Sequence, residues 1–225
     1  AAGADSPQRA AFPRYMDQAG ENPRGPHAQI VLSANEHFTL DSLIGAAYDP
    51  YLTGFARLIP GLIAAQDRAP DPALADAVQS LRGWDYKWRL TSTETSLAVF
   101  WGEALWKTVA PAAKEAGLST IDYMATRATD AQKLAALREA VERLTTDFGS
   151  IAVPWGEINR YQRNDGAIVQ TFDDAKPSTP IPFASSQWGS LAAFGAARYP
   201  GTKRYYGTKG NSFVAAVEFG PKVVA

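Results

Sequence analysis

The sequence of 225 residues contains no cysteine and only two histidines, and each shortage excludes a class of chemistry. Without cysteine the chain can form no disulfide, present no thiol nucleophile and hold no thiolate-bound metal. Cysteine usage therefore does not indicate in which redox compartment the protein works. The two histidines, His27 and His37, fit neither the HxxxH nor the HxH spacing of a zinc site. We therefore expect no zinc in this chain.

Long apolar runs and an excess of one charge are missing as well. No stretch approaches the roughly 20 apolar residues that a membrane-spanning helix needs. The 22 basic and 23 acidic side chains are well mixed and leave a net charge of −1. This balance gives no electrostatic reason to expect nucleic acid or an anionic membrane as partner. Residues 1–18 also lack the charged-then-apolar pattern of a signal peptide.

What the chain does contain is typical of a folded globular protein. Apolar residues make up 46% and charged residues 20% of the sequence, so a core of ordinary size can form. Six tryptophans and nine tyrosines are many for this length. Most of them are explained as anchors of the core, and a few could instead line an apolar pocket.

Composition and periodicity divide the chain into three parts and predict an α+β fold, with a helical insert followed by core strands. Residues 1–38 are rich in Pro, Gly and Ala without a sustained period, and we interpret them as an extended, irregular segment. Residues 39–148 carry helical periodicity and cap signals. Residues 149–225 place Pro, Gly, Ser and Thr between short β-prone runs, so we expect strands there.

Individual elements follow from caps, apolar spacing and turn residues. Helices are predicted after an N-cap at Thr39, over 51–58, from Asp71-Pro72 to Gly83, after a Thr91–Glu94 capping box, and over 130–144. Strands are predicted at 155–163, 167–172 and 212–219, the last apolar on both faces and therefore buried between layers. Residues 207–211 have the composition of a hairpin turn.

A search for catalytic motifs finds no complete set. No serine sits in a GxSxG or SxxK motif, and the glycines after Tyr199 lack the context of a phosphate-binding loop. The pairs Asp173-Asp174 and Asp41/Asp49 lack the spacing of a calcium loop, so we interpret them as structural or surface acids. Residue chemistry and spacing alone therefore predict no catalytic site.

Four stretches of the sequence nevertheless share their order and spacing with a known family. They are ENPRGPHA at 21–28 with FTLD at 38–41, AYDPYL at 47–52, LRGWD at 81–85 with SLAVFW at 96–101, and PWGEINR at 154–160 with YG at 206–207 and GNSFV at 210–214. Together they resemble the penicillin acylase family of N-terminal-nucleophile hydrolases. The resemblance is strongest to its acyl-homoserine-lactone and aculeacin acylases and covers most of the chain.

This resemblance implies part of an αββα sandwich, in which 39–148 help to wall the acyl pocket and 149–225 add strands to the stacked sheets. The implied enzyme cleaves itself to free a Ser, Cys or Thr at the start of its large subunit, and the amine of that residue acts as the base. Backbone N–H groups and an asparagine side chain would bind the oxyanion. The implied substrates are acyl-homoserine lactones, β-lactams or acylated peptides, hydrolysed in the periplasm or outside the cell.

The chain departs from the family pattern at both ends. It begins with Ala1 rather than a nucleophile, and neither the oxyanion asparagine nor the family's G-x-S-G-x-P-x-S-P-H stretch has a counterpart in it. We therefore expect an internal piece of the large subunit. Its partners would be the small subunit and the nucleophile-bearing segment of the same precursor. The competing hypothesis is a non-catalytic binding or scaffold module.

Arg24, within NPRG at 22–25, is the one catalytic residue that the resemblance transfers to this chain. The family's arginine follows the oxyanion asparagine and orients the surroundings of the nucleophile, because a guanidinium supplies fixed donors and a permanent positive charge. The alternative is that Arg24 pairs with Glu21 or caps a loop. No cofactor is expected, although some members bind Ca²⁺ through an aspartate before this arginine, for which Asp17 is the nearby candidate.

Overall fold

The computed structural model describes residues 11–13, 15–16, 22–211 and 214–220. These residues form a mixed α+β structure, in agreement with the predicted class. The helices are α1 (Arg24–Ser33), α2 (Leu40–Ala47), α3 (Thr53–Arg68), α4 (Ala75–Arg82), α5 (Thr93–Glu115), α6 (Thr120–Thr126), α7 (Asp130–Phe148) and α8 (Trp155–Ile158). The strands are β1 (Asn159–Tyr161), β2 (Thr179–Pro180), β3 (Phe194–Arg198) and β4 (Tyr205–Gly210), and short 3₁₀ turns span Pro72–Leu74 and Ser186–Trp188.

The long helices α3, α5 and α7 form the centre of the helical layer, and α5 packs on both α6 and α7. Trp101, Leu105 and Val109 of α5 recur at helical spacing and are fully buried, because one face of the helix points into the core. Trp101 also donates its Nε1–H to the Lys133 carbonyl of α7 across 3.1 Å. Apolar burial and this hydrogen bond together hold α5 against α7.

Side-chain caps start most of the helices in this layer. The predicted N-cap Thr39 is confirmed, and it exchanges hydrogen bonds with Ser42. Asp71 caps as predicted by accepting from the Ala73 N–H, although a 3₁₀ turn precedes α4 there. The Thr91–Glu94 capping box was wrong by one residue, because the Ser92 hydroxyl accepts from the backbone N–H three residues later and is the N-cap of α5.

Four strands form one sheet in the order β2–β1–β4–β3 within the described residues. The central pair, β1 and β4, is parallel, and the two outer strands pair antiparallel. Successive residues of β4 face opposite sides of the sheet. Tyr205 stacks on Phe100 of α5, whereas Tyr206 stacks on Phe172 across 5.0 Å. One face of the sheet therefore packs on the helices.

Residues 1–38 were predicted to be irregular, and this was wrong for α1. The helix escaped detection because its apolar residues do not form a buried stripe: Ile30 and Leu32 are about half exposed, and His27 is its one fully buried residue. Pro26 lies in the first turn, where its missing N–H costs no helical hydrogen bond.

Several β predictions were also wrong. Residues 207–211 were predicted as a turn, but β4 runs through Gly210. Gly207 lies under the Phe194 ring and a Cβ at Gly210 would lie 2.9 Å from the Ala193 carbonyl oxygen, so glycine there permits close strand approach. No strand forms at 167–172.

The strand predicted at 212–219 was wrong as well, within the part of it that the structure describes. Residues 214–219 carry no strand assignment, and Val217 and Phe219 are 61% and 95% exposed rather than buried. Its apolar composition suits a half-buried sheet surface, and β-propensity takes effect only where neighbouring strands supply such a surface. The stacked-sheet sandwich stays a prediction.

Candidate active site

Arg24 is the first residue of α1, and its guanidinium is half-buried at the wall of a cavity. Its Nη2 donates to the Leu191 carbonyl across 3.0 Å. Its Nε is buried and has no hydrogen-bond partner among the described residues. Since a guanidinium carries five N–H donors, most of its donor capacity remains for a ligand or for another part of the protein. The proposed partner Glu21 lies outside the described residues.

Contacts to two other segments hold α1 in place. His27, which is completely buried, contacts the Gly189 carbonyl oxygen through Nδ1 at 2.7 Å and Asp49 Oδ1 through Nε2 at 3.0 Å. The Thr53 hydroxyl of α3 donates to the Pro23 carbonyl across 2.6 Å. The N-terminal turn that carries Arg24 is therefore tied to α3, to the α2–α3 junction and to the segment after the second 3₁₀ turn.

The cavity beside Arg24 measures about 340 Å³ and is mostly apolar. Its wall comes from α1, α2 and two segments near the sheet: Arg24, Ala28, Val31, Leu32, Leu43, Ile44, Ala46, Ala47, Tyr48, Leu191, Ala192, Asn211, Val214, Ala215 and Ala216. An apolar wall with one cation suits a ligand with an apolar body and a polar or anionic group.

A second cavity of about 630 Å³ adjoins the first and is lined by many aromatic side chains. The two cavities share Tyr48, Ala192, Asn211 and Val214. Aromatic residues of the second wall are Tyr48, Tyr161, Phe172, Phe183, Phe194 and Tyr199. Some of the abundant aromatic residues thus line an apolar pocket, whereas others, such as Trp101 and Trp188, are buried in the core.

Tyr206, beside this second cavity, is held as a neutral structural group. Its hydroxyl donates to Asp174 Oδ1 across 2.8 Å, and its ring stacks on Phe172. Burial first, and then the Asp174 carboxylate, raise the pKa of Tyr206 to about 12. Tyr206 therefore stays protonated near neutral pH and supports the cavity wall instead of transferring protons.

The described residues contain no group of three acidic or histidine side chains placed to hold a metal ion. Asp17, the candidate calcium ligand, lies outside the described residues. None of the described helices is both long and apolar enough to span a membrane.

The similarity of this chain to a known family extends over nearly all of its residues. A family model described as penicillin amidase matches residues 4–225. The chain belongs to the penicillin amidase family. Membership indicates an acylase, that is, a hydrolase of amide bonds. No curated protein matches the chain.

The candidate site of this penicillin amidase family member contains one residue that the sequence predicted and several that it did not. Arg24 lies on a cavity wall, as a residue near substrate would. Asp49, interpreted from the sequence as structural, bonds the buried His27. The sequence contains no signal for this pair, since α1 was not predicted. Had α1 been predicted, the spacing of Arg24 and His27 would have put both on one helix face.

Proposed function

We propose that the chain is part of an acylase that hydrolyses the amide between an acyl chain and an amine headgroup. The nucleophile, an N-terminal Ser, Cys or Thr, is carried by another segment of the same precursor. The observation that carries the proposal, beside family membership, is the Arg24 guanidinium on the wall of an apolar cavity, with an Nε that has no partner among the described residues. Acyl-homoserine lactones, β-lactams and acylated peptides all combine an acyl group with such an amide.

In the proposed reaction the nucleophile attacks the amide carbon, and its proton passes to its own α-amino group. The C–N bond then breaks, the amine leaves with that proton, and an acyl-enzyme remains. Water then attacks the acyl-enzyme while the α-amino group of the nucleophile takes its proton. The bond between the acyl carbon and the nucleophile breaks, the proton returns to the nucleophile atom, and the carboxylic acid is released. Each attack places negative charge on the carbonyl oxygen, which N–H donors stabilise.

Arg24 would assist both attacks without exchanging a proton. Its permanent charge favours the deprotonated form of the neighbouring amine and the developing oxyanion. The adjoining aromatic cavity would hold the acyl chain, because apolar burial supplies binding energy that does not depend on the headgroup. On family grounds we propose that the enzyme works in the periplasm or outside the cell, with the small subunit and the nucleophile-bearing segment as its partners.

The first prediction concerns Arg24 in the complete enzyme. Arg24→Leu should lower kcat/KM for an acyl-amide by on the order of 10²-fold, because a fixed donor and a charge near the oxyanion are lost. Steady-state kinetics measure this effect, and circular dichroism checks the fold. Arg82→Leu is the matched control, since Arg82 is an exposed arginine paired with Asp67 away from the cavities. Unchanged kcat/KM in the Arg24 variant would exclude its catalytic role.

Mass spectrometry of protein made from the intact gene tests the wider proposal. We expect a companion chain that begins with Ser, Cys or Thr, because the family frees its nucleophile by self-cleavage. If residues 1–225 are an entire gene product with no companion chain, the acylase proposal fails and the non-catalytic module is favoured.

A further inference from the structure

His27 is a buried histidine whose two ring nitrogens both contact hydrogen-bond acceptors. The Gly189 carbonyl oxygen lies 2.7 Å from Nδ1 and can only accept. Asp49 Oδ1 lies 3.0 Å from Nε2. The same Asp49 oxygen also accepts the Tyr51 N–H across 2.9 Å, as a carboxylate oxygen can. Both ring nitrogens of His27 are therefore hydrogen-bonded, one to α1's neighbouring segment and one to the start of the α2–α3 junction.

The two bonds hold the buried ring between the Gly189 carbonyl and the Asp49 carboxyl group. A polar side chain without exposed surface is stable only when it is hydrogen-bonded, and His27 meets this condition at both ring nitrogens. Because the bonds lie on different sides of the ring, they restrict it to one orientation. The Tyr51 ring packs edge-on against it with centroids 6.0 Å apart.

His27, the histidine of this hydrogen-bonded pair, lies on the same helix as Arg24. Arg24 precedes His27 by one helical turn on α1, and both side chains bond the same short segment. His27 contacts the carbonyl of Gly189, and Arg24 contacts the carbonyl of Leu191. The path of that segment is constrained, since Gly189 has a φ of +102° and a Cβ there would lie 2.9 Å from the Thr53 backbone nitrogen.

We propose that His27 is a positioning residue for Arg24. By joining α1 to Asp49 and to Gly189, the His27 ring fixes the distance between the helix and the carbonyl that Arg24 Nη2 binds. The guanidinium then presents its remaining donors to the cavity in one orientation. The inference rests on the proposed function in the experiments that measure turnover, whereas the crystallographic comparison does not depend on that function.

A double-mutant cycle in the complete enzyme tests the proposal. His27→Asn, whose side chain is too short to reach both acceptors, should lower kcat for an acyl-amide roughly tenfold or more, with KM changed little. In an Arg24→Leu background the same substitution should lower kcat no further, because the group that it orients is absent. Independent, multiplying losses, or a His27→Asn variant with unchanged kcat, would overturn the proposal.

Two further variants separate positioning from general stability. Asp49→Asn alters only one of the two ring bonds and keeps the bond to Gly189, so it should lower kcat less than His27→Asn and only while Arg24 is present. Trp101→Phe is the matched control, since it removes a buried ring N–H bond to a backbone carbonyl in the α5–α7 core. A fall in kcat for Trp101→Phe equal to that of His27→Asn at a similar loss of Tm would refute positioning.

Crystal structures of the wild-type enzyme and of His27→Asn provide a readout that needs no activity. We expect the bond between Arg24 Nη2 and the Leu191 oxygen to lengthen beyond hydrogen-bonding distance in the variant. If Arg24 stays bonded at its wild-type position, the proposal is wrong whatever the kinetics show. If Arg24→Leu keeps wild-type turnover, the catalytic role of Arg24 fails instead, and the crystallographic comparison still decides whether His27 positions it.

Discussion

At the scale of single residues, buried polar side chains join the helices to the rest of the molecule. Glu103 of α5 accepts a hydrogen bond from the Tyr205 hydroxyl of β4 across 2.7 Å, and Arg143 of α7 lies over the Tyr205 ring. Burial raises the pKa of the Glu103 carboxyl, and the Tyr205 bond and the Arg143 charge only partly oppose this effect. The contact therefore orients β4 on the helices at a cost in electrostatic free energy.

We predict that this cost depends on pH. The ordinary pKa of the glutamate carboxyl is 4.5. Because its folded-state pKa is higher, ionisation destabilises the native state as pH rises from the unfolded-state pKa through the folded-state pKa. The penalty is absent below the unfolded-state pKa. The free energy of unfolding of Glu103→Gln should thus increase relative to that of wild type between about pH 4 and pH 7, because only wild type carries the ionisation penalty.

Chemical denaturation of both proteins at the two pH values measures this difference. Glu139→Gln is the control, since Glu139 is exposed on α7. A Glu103→Gln difference that stays constant with pH would show that burial does not perturb this carboxyl.

At the scale of elements, Trp188 anchors the segment that carries the Gly189 and Leu191 carbonyls to the helical core. Its ring stacks on Phe55 of α3 at 4.6 Å and meets Trp106 of α5 edge-on. Gly102 of α5 leaves room for it, since a Cβ there would lie 2.8 Å from the Trp188 ring and 3.0 Å from Phe55. Helix packing therefore determines where the Arg24 partner lies.

Gly102→Ala should consequently cost about 1–3 kcal/mol in packing, because the packed rings of Trp188 and Phe55 cannot move aside. Alanine gains about 1 kcal/mol in a helix interior, so the net destabilisation should be up to about 2 kcal/mol. Thermal unfolding should show a fall of about 2–4 °C in Tm per kcal/mol.

The same substitution at Gly45 is the control. Nothing lies within 4 Å of a Cβ at Gly45 of α2, so Gly45→Ala should stabilise by about 0.5–1 kcal/mol. An equal gain in stability at Gly102 would show that Trp188 does not pack tightly against α5.

At the scale of the whole molecule, the walls of the two cavities come from α1, α2 and the sheet with its adjoining segments. Ala192 is almost completely buried and contributes to both cavity walls. If an acyl chain extends from the Arg24 side into the aromatic cavity, it passes this residue. Side-chain size at Ala192 would then limit the length of chain that binds.

Ala192→Phe should therefore raise KM for a long-chain acyl-amide more than for a short-chain one, with kcat for the short substrate little changed. Kinetics over a series of acyl lengths measure this selectivity. Ala197→Phe is the control, because Ala197 is exposed on β3 and lines neither cavity. A uniform rise in KM across the series would argue that the chain binds elsewhere.

Features that depend on residues close together in the sequence could be predicted, whereas features that depend on distant residues could not. Helix starts at Thr39 and Thr129 depend on residues three positions apart, and the sequence predicts a cap at the first of them. The β4 strand was missed because its glycines were interpreted as turn residues, whereas Phe194 of a different strand explains one of them. The candidate site was identified only at Arg24, through family resemblance.

The sequence by itself determined that helices dominate between Leu40 and Phe148, the mixed fold class and the family, because caps, apolar periodicity and motif order are local or linear features. It did not predict α6, and it predicted α3 only over 51–58. Only the tertiary structure decided that α1 is a helix held by His27, that Gly189 lies against it across 162 positions, and that Arg24 meets an apolar cavity. Such contacts depend on how distant elements pack, and packing leaves no pattern in the neighbouring residues of a single chain.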